Sequence, residues 1–505
     1  MSVPKPAEFS KIRATLWPIH GHEMKKFLPM AAIMFLILFN YTVVRSLKDA
    51  MIIAAKGSGA EVVNFLKSWV VLPCSVLFVV IFAKMSNVLS RQALYYACLV
   101  PFIAFFAIFA FIIFPLKDAL HPSVDTLQSL QESVPFLKWA FPIYGLWTYS
   151  IFYVMAELWG NIGTNLLFWQ FANQITPTIE AKRFYPMFGL LGNTALLLAG
   201  RMLSSYATVP MGVDPEIHFG KTIQDLIFWV VTSGIGIGVI YYWMCSYLMK
   251  QPDFYQDIPK TEKKAKKPKM SIVESFKYLA SSKYLGYITI LVLGYGMTIN
   301  LVEVTWKAKL KEAFPTSASY TAFMGQLYTW LGPITMLILF TTKGAVRRFG
   351  WKPSAMATPV MIMATGIAFF VFVLWQDSLT GIMALAGLTP LMAAVYMGMG
   401  QNIMSKGTKY ALFDPTREMA YIPLDQEMKV KGKAAIDVVG GRMGKSAGGW
   451  IQLLFLAFLG GAGTQIMIAP YLVIIMLVIG CAWIWAVKRL SVEYNALVKS
   501  KEKAA

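Results

Sequence analysis

Twelve long apolar stretches follow one another along this chain, and a polypeptide that carries them has few folds open to it. We read them at residues 27–44, 65–83, 93–114, 141–171, 184–206 and 223–248, and again at 284–303, 322–342, 355–375, 381–412, 436–459 and 466–486. Wound into an α-helix, a run of about 20 apolar residues matches the hydrocarbon thickness of a bilayer. Inside lipid every backbone N–H and C=O must find its partner within the protein, so separate runs of this length become helices. With 57% hydrophobic and 14% charged residues, the 505-residue chain leaves little room for a soluble catalytic domain. The expected fold class is an all-α polytopic membrane protein.

The stretches fall into two sets of six. Between them, residues 250–283 contain the basic run Lys260-Thr261-Glu262-Lys263-Lys264-Ala265-Lys266-Lys267-Pro268-Lys269, too polar to enter lipid. This reads as a cytoplasmic linker joining an N-terminal bundle (27–249) to a C-terminal one (284–488), with 1–26 and 489–505 as a cytoplasmic segment and tail. Placing alternate loops on opposite sides puts about 35 of the 46 Lys and Arg on the side of the N-terminus, and basic excess marks the cytoplasmic face. Both termini are therefore expected inside. The formal charge of +20 then reads as a topology signal and an attraction to anionic lipid, not as a nucleic-acid surface. The first stretch is too long for a signal-peptide core and no small-residue cleavage site follows it, so a multi-pass protein of a bacterial inner membrane is expected. Short internal matches, Asn40-Tyr41-Thr42 with Asn300-Leu301-Val302 and Gly160-Asn161-Ile162 with Gln401-Asn402-Ile403, suggest duplicated halves. Two parallel six-helix halves are the major-facilitator layout, with a substrate site between them near the midplane and alternating access by rocking.

Lys67, Glu157, Glu303 and Lys445 stand inside these apolar stretches. An ionisable group at the centre of a membrane helix costs at least ~2.5–3.5 kcal/mol, so four such groups point to a charged substrate. Other chemistry finds less support. Cys74, Cys98, Cys245 and Cys481 are isolated in apolar segments, and His20, His22, His121 and His218 show no HExxH spacing, so neither disulfides nor a metal site is expected. The stretch from Val438 to Ser446 approaches a phosphate-binding loop, but Val439 stands where that motif needs glycine. Gly440, Gly444 and Gly448 suit close helix packing instead. No cofactor is expected.

Several segments carry a more specific likeness: Ala156-Glu157-Leu158-Trp159-Gly160, Phe168-Trp169-Gln170-Phe171-Ala172-Asn173, Glu180-Ala181-Lys182-Arg183-Phe184-Tyr185, Asn300-Leu301-Val302-Glu303-Val304-Thr305-Trp306-Lys307, Glu418-Met419-Ala420-Tyr421-Ile422-Pro423-Leu424-Asp425, Lys431-Gly432-Lys433-Ala434-Ala435-Ile436-Asp437 and Gly444-Lys445-Ser446. Together they resemble the ATP/ADP translocases of obligate intracellular bacteria and plastids, in wording nearest the chlamydial members, from about Trp17 to Arg489. The threefold PxDxxK-type repeat of mitochondrial carriers is absent. The resemblance implies uptake of host ATP in exchange for ADP without hydrolysis, hence a transporter and not an enzyme, and it implies that Lys67, Glu157, Glu303 and Lys445 are its transport residues. Arg45-Ser46-Leu47-Lys48-Asp49 departs from the Arg-Asp-Thr-Lys-Asp wording of plastid and some chlamydial members. Because paralogues carry other nucleotides or couple to protons, a proton-coupled nucleotide importer, with Glu157 or Glu303 carrying the proton, is the alternative, and phosphate or other nucleotides stay open as substrates.

For a nucleotide, Lys67 and Lys445, one from each half, are expected to meet the phosphates. Glu157 and Glu303 are expected to pair with those lysines in the empty carrier and to release them to substrate. Adenine is expected to stack on Phe168 or Trp169 and to be read by the amide of Asn161 or Asn402. A monomer is expected to suffice.

Overall fold

The computed structural model describes residues 17–251, 282–342, 344–424, 433–459 and 463–504, together with Ser10 and Arg13. The expected basic run at 260–269 lies outside the described residues, as do Asp425, Lys431 and Gly432. A helix occupies each expected apolar stretch, the one at 381–412 being interrupted at Ala386–Thr389, and no strand occurs among the described residues. We number the principal helices α1 (Met24–Ile53), α2 (Glu61–Val88), α3 (Arg91–Leu120), α4 (147–175), α5 (Thr178–Ala207), α6 (Pro215–Ser246), α7 (Lys283–Ala313), α8 (Ser317–Thr341), α9 (Trp351–Leu374), α10 (390–420), α11 (Lys433–Phe458) and α12 (Ala469–Ala504). Nine of the described helices are long and apolar enough to cross a membrane. The other three, α4, α10 and α11, are less uniformly apolar because they carry Glu157, Asn161, Lys406, Lys409 and Lys445, all of which line the interior cavities described below.

Helix boundaries depart from the apolar runs in one informative way. The run at 27–44 continues as helix to Ile53 and the run at 284–303 to Ala313, two to three turns further than expected. The added turns contain Lys48, Asp49 and Lys307, each 1% exposed. They stay helical because their charges pair with one another inside the protein instead of reaching a loop. Local chemistry sets other ends: Asp214 caps α6 by accepting from the backbone N–H of Glu216 and Ile217, with Pro215 in the first turn, and Thr389 caps α10 ahead of Pro390. The stretch at 141–171 breaks at Leu146, so Phe141–Gly145 is a separate short helix.

Helices α1–α6 and α7–α12 form two halves that meet along α5 and α8. A Cβ at Gly200 would press on Thr329 N and stand 2.6 Å from the Gly325 carbonyl, and one at Gly325 would stand 2.5 Å from Ser204 N. Only glycine lets the two backbones approach this closely. At the far end, where α1 finishes and α7 reaches Ala313, the halves are joined by polar contacts. Asn64 donates to Gln452 at 3.3 Å, Trp139 to the Gly463 carbonyl at 2.9 Å, the Gln465 backbone N–H to Glu61 at 2.6 Å, and Lys311 to the Ser58 carbonyl. At the near end, where α1 begins, the halves part around a cavity.

Candidate functional site

The cavity has a wide outer part of about 1260 Å³ and a narrow inner part of about 140 Å³, and Tyr41, Arg45 and Asn161 line both. Side chains reach the narrow part because helical spacing puts them on one face. Tyr41, Arg45 and Lys48 recur at one-turn intervals on α1, Glu303 and Lys307 are four apart on α7, and Glu157 and Asn161 are four apart on α4. Three helices also carry π-turns beside the cavity: Leu66–Val71 in α2 holds Lys67, Ile162–Trp169 in α4 holds Asn165 and Trp169, and Lys409–Phe413 in α10 holds Lys409 and Tyr410. A π-turn inserts one residue per turn and so re-aims the face that follows it.

Lys67, Glu157, Asn161, Glu303 and Lys445 thus come together from both halves around the narrow part. Trp169 lines the wide part, its ring edge-on to Tyr185 at 5.0 Å, and Tyr185 donates to Asn173 at 2.6 Å. Phe168 does not join them: it is 1% exposed and packs against Phe188. Successive helix residues point about 100° apart, so its neighbour Trp169 reaches the cavity and Phe168 the core. Asn402 is buried too, and its amide donates to the Gly398 carbonyl of its own helix at 2.9 Å.

The ion pairing differs from the expected one. Glu157 pairs with Lys48 at 3.0 Å, and Glu303 with Lys307 at 3.1 Å and Arg45 at 3.3 Å. Asp49 pairs with both Lys48 at 2.7 Å and Lys307 at 2.8 Å. Neither Lys67 nor Lys445 has a carboxylate within 4.0 Å among the described residues. The acids satisfy cations of α1 and α7, which leaves the two lysines of α2 and α11 facing the cavity. Five bases, Arg45, Lys48, Lys67, Lys307 and Lys445, stand against three acids, Asp49, Glu157 and Glu303, an excess of two positive charges. In a partly desolvated site that excess favours a polyanion far more strongly than it would in water.

The wide part adds Lys406, whose ammonium lies 5.8 Å from the centre of the Tyr328 ring, and Lys409, paired with Asp414 at 2.7 Å. Reading apolar runs missed Arg45, Lys48, Asp49, Lys307, Lys406 and Lys409. The signal for Arg45, Asp49 and Lys307 was present: Arg45/Asp49 and Glu303/Lys307 are i, i+4 charge pairs that continue the helical period past the apolar run.

Comparison with known proteins adds a second line of observation. The family described as TLC ATP/ADP transporter matches residues 4–494. The chain is 46% identical over 510 residues to ADP,ATP carrier protein 1 of Chlamydia pneumoniae, covering 99% of this chain and 98% of that one. It is 42% identical over 508 residues to ADP,ATP carrier protein 1 of Rickettsia bellii, covering the whole of both. Among solved structures it resembles a bacterial homologue of the iron transporter ferroportin in an inward-facing state, with a TM-score of 0.55 at 14% identity over 94% of this chain and 100% of that one. A D-xylose–proton symporter gives a TM-score of 0.54 at 12% identity over 92% and 97%. These two likenesses concern the fold alone, which is major-facilitator-like.

Proposed function

This chain belongs to the TLC ATP/ADP transporter family, and from that premise we propose that it exchanges external ATP for internal ADP by alternating access. The observation that carries the reading is the cavity between the halves: a narrow pocket with two positive charges in excess, opening into a wide chamber walled by aromatic rings and amides. A nucleotide has the matching polarity, with its phosphates in the narrow part and its base in the chamber. Lys67 and Lys445, without carboxylate partners among the described residues, meet the phosphates, and the base lies against Trp169 and Tyr185 within reach of Asn161. No bond in the nucleotide is broken in this cycle.

The chain crosses a bacterial inner membrane twelve times with both ends in the cytoplasm, so the near-end opening faces the cytoplasm and the polar contacts at the far end close the path outward. One copy holds both walls of the cavity and works as a monomer. Labelled ATP uptake into proteoliposomes tests the reading: uptake should require ADP inside and persist when an ionophore collapses the proton gradient. Uptake into ADP-free vesicles that the ionophore abolishes would establish the proton-coupled importer instead.

A further inference from the structure

Asp49 lies behind the charged cavity, not in it. Its side chain is 1% exposed, and it holds one lysine from each half. Lys48, the next residue on α1, donates to it at 2.7 Å. Lys307 of α7 pairs with its other oxygen at 2.8 Å. Both ammonium groups line the narrow cavity from the opposite side. An anion entering that cavity therefore meets the two cations that Asp49 holds from behind.

The position of this pair along the path gives it consequence. One turn nearer the mouth, Arg45 and Glu303 make a second ion pair between α1 and α7, with the opposite polarity. Beyond Asp49, toward the far end, lies a plug of polar contacts between the halves: Lys311 donates to the Ser58 carbonyl, and the Gln465 backbone N–H donates to Glu61 at 2.6 Å. Asp49 thus ties α7 to α1 between the mouth and this plug.

We propose that Asp49 is the positioning residue that ties opening of the far end to an occupied cavity. With the cavity empty it clamps Lys307 to α1. The phosphates of a bound nucleotide draw Lys307 forward, the link between the halves is released, and the plug parts. No charge is stranded by the exchange, because Asp49 keeps Lys48 and Lys307 keeps Glu303 and gains phosphate. This coupling turns a carrier into an exchanger, since the empty protein stays latched. The inference rests on the nucleotide reading of the site.

Disulfide formation between the halves tests it in the full-length protein with its four cysteines replaced. A Cβ at Gly449 of α11 would stand 3.0 Å from Ser68 Oγ of α2, so Ser68→Cys with Gly449→Cys reports whether the two halves stay in contact where α2 meets α11, beside the narrow cavity. With Asp49 intact, the pair should cross-link readily without nucleotide and roughly tenfold more slowly with ADP. Asp49→Asn should cross-link slowly in both conditions, Asp49→Glu should keep the ADP dependence, and Lys307→Gln, which breaks the same link from the other side, should match Asp49→Asn without nucleotide. Asp49→Asn is expected to fold, because Lys48 retains Glu157 and Lys307 retains Glu303. In vesicles lacking ADP, Asp49→Asn without the cysteine pair should take up ATP roughly tenfold faster than the unmodified protein. ADP-dependent cross-linking and strict ADP dependence preserved in Asp49→Asn would overturn the latch while leaving the nucleotide reading intact. If the protein with Asp49 neither binds labelled ADP nor changes its cross-linking with ADP, the nucleotide reading falls and the latch with it.

Discussion

Replacing Lys445 by glutamine separates phosphate recognition from structural support. Lys445 is exposed to the narrow cavity and has no carboxylate within 4.0 Å among the described residues, so its removal strands no buried anion. The fold should barely register the change, with stability altered by no more than about 0.5 kcal/mol. Binding should register it strongly. A hydrogen bond from an ammonium to phosphate is worth about 1.5–3 kcal/mol. At about 1.4 kcal/mol per decade, ATP should bind roughly 10- to 150-fold more weakly to Lys445→Gln. Adenosine, which has no phosphate, should bind as before. Lys445→Arg should recover part of the ATP affinity, because the charge survives while the donor geometry changes. Equilibrium binding of labelled ATP and adenosine to protein in lipid nanodiscs, with thermal unfolding of the same samples, checks all three. Equal losses for ATP and adenosine, or a large drop in melting temperature, would refute the phosphate role.

Glu157→Gln removes a partner of Lys48 that Asp49 replaces only in part, and should lower ATP/ADP exchange in proteoliposomes by about tenfold or more without making it ionophore-sensitive; ionophore-sensitive exchange would instead make Glu157 a proton carrier. Gly325→Val forces α8 away from the Ser204 backbone of α5 and should cost about 1–3 kcal/mol of stability, read as a lower melting temperature; an unchanged melting temperature would contradict the close approach of the halves. Cysteines replacing Lys264, which lies outside the described residues, and Thr464 should react with an impermeant label from opposite faces of oriented vesicles. Labelling from one face would overturn the twelve-span topology.

Membrane residence, helical class and the places of the helices were legible in the amino-acid order, because the transfer of apolar side chains into lipid is a local property that sums along each run. The same local argument singled out Lys67, Glu157, Glu303 and Lys445, since each charge is costly in its own segment whatever surrounds it. All four line the narrow cavity. Which charge pairs with which was not legible. Arg45 and Glu303 are 258 residues apart and meet only because α1 and α7 come together between the halves. Lys48, Asp49 and Lys307 stand beyond the ends of apolar runs, yet mutual neutralisation across the halves carries them inside and prolongs both helices. Helix rotation was the other hidden quantity. Phe168 and Trp169 are equivalent in composition, but only Trp169 reaches the cavity, and the π-turn that contains both resets the face in a way that a period of 3.6 residues cannot foresee. Sequence alone determined that this protein holds charge within the membrane. Tertiary structure decided that the acids are occupied by Arg45, Lys48 and Lys307 while Lys67 and Lys445 face the cavity, because electrostatic partners are chosen by distances between helices that no single segment contains.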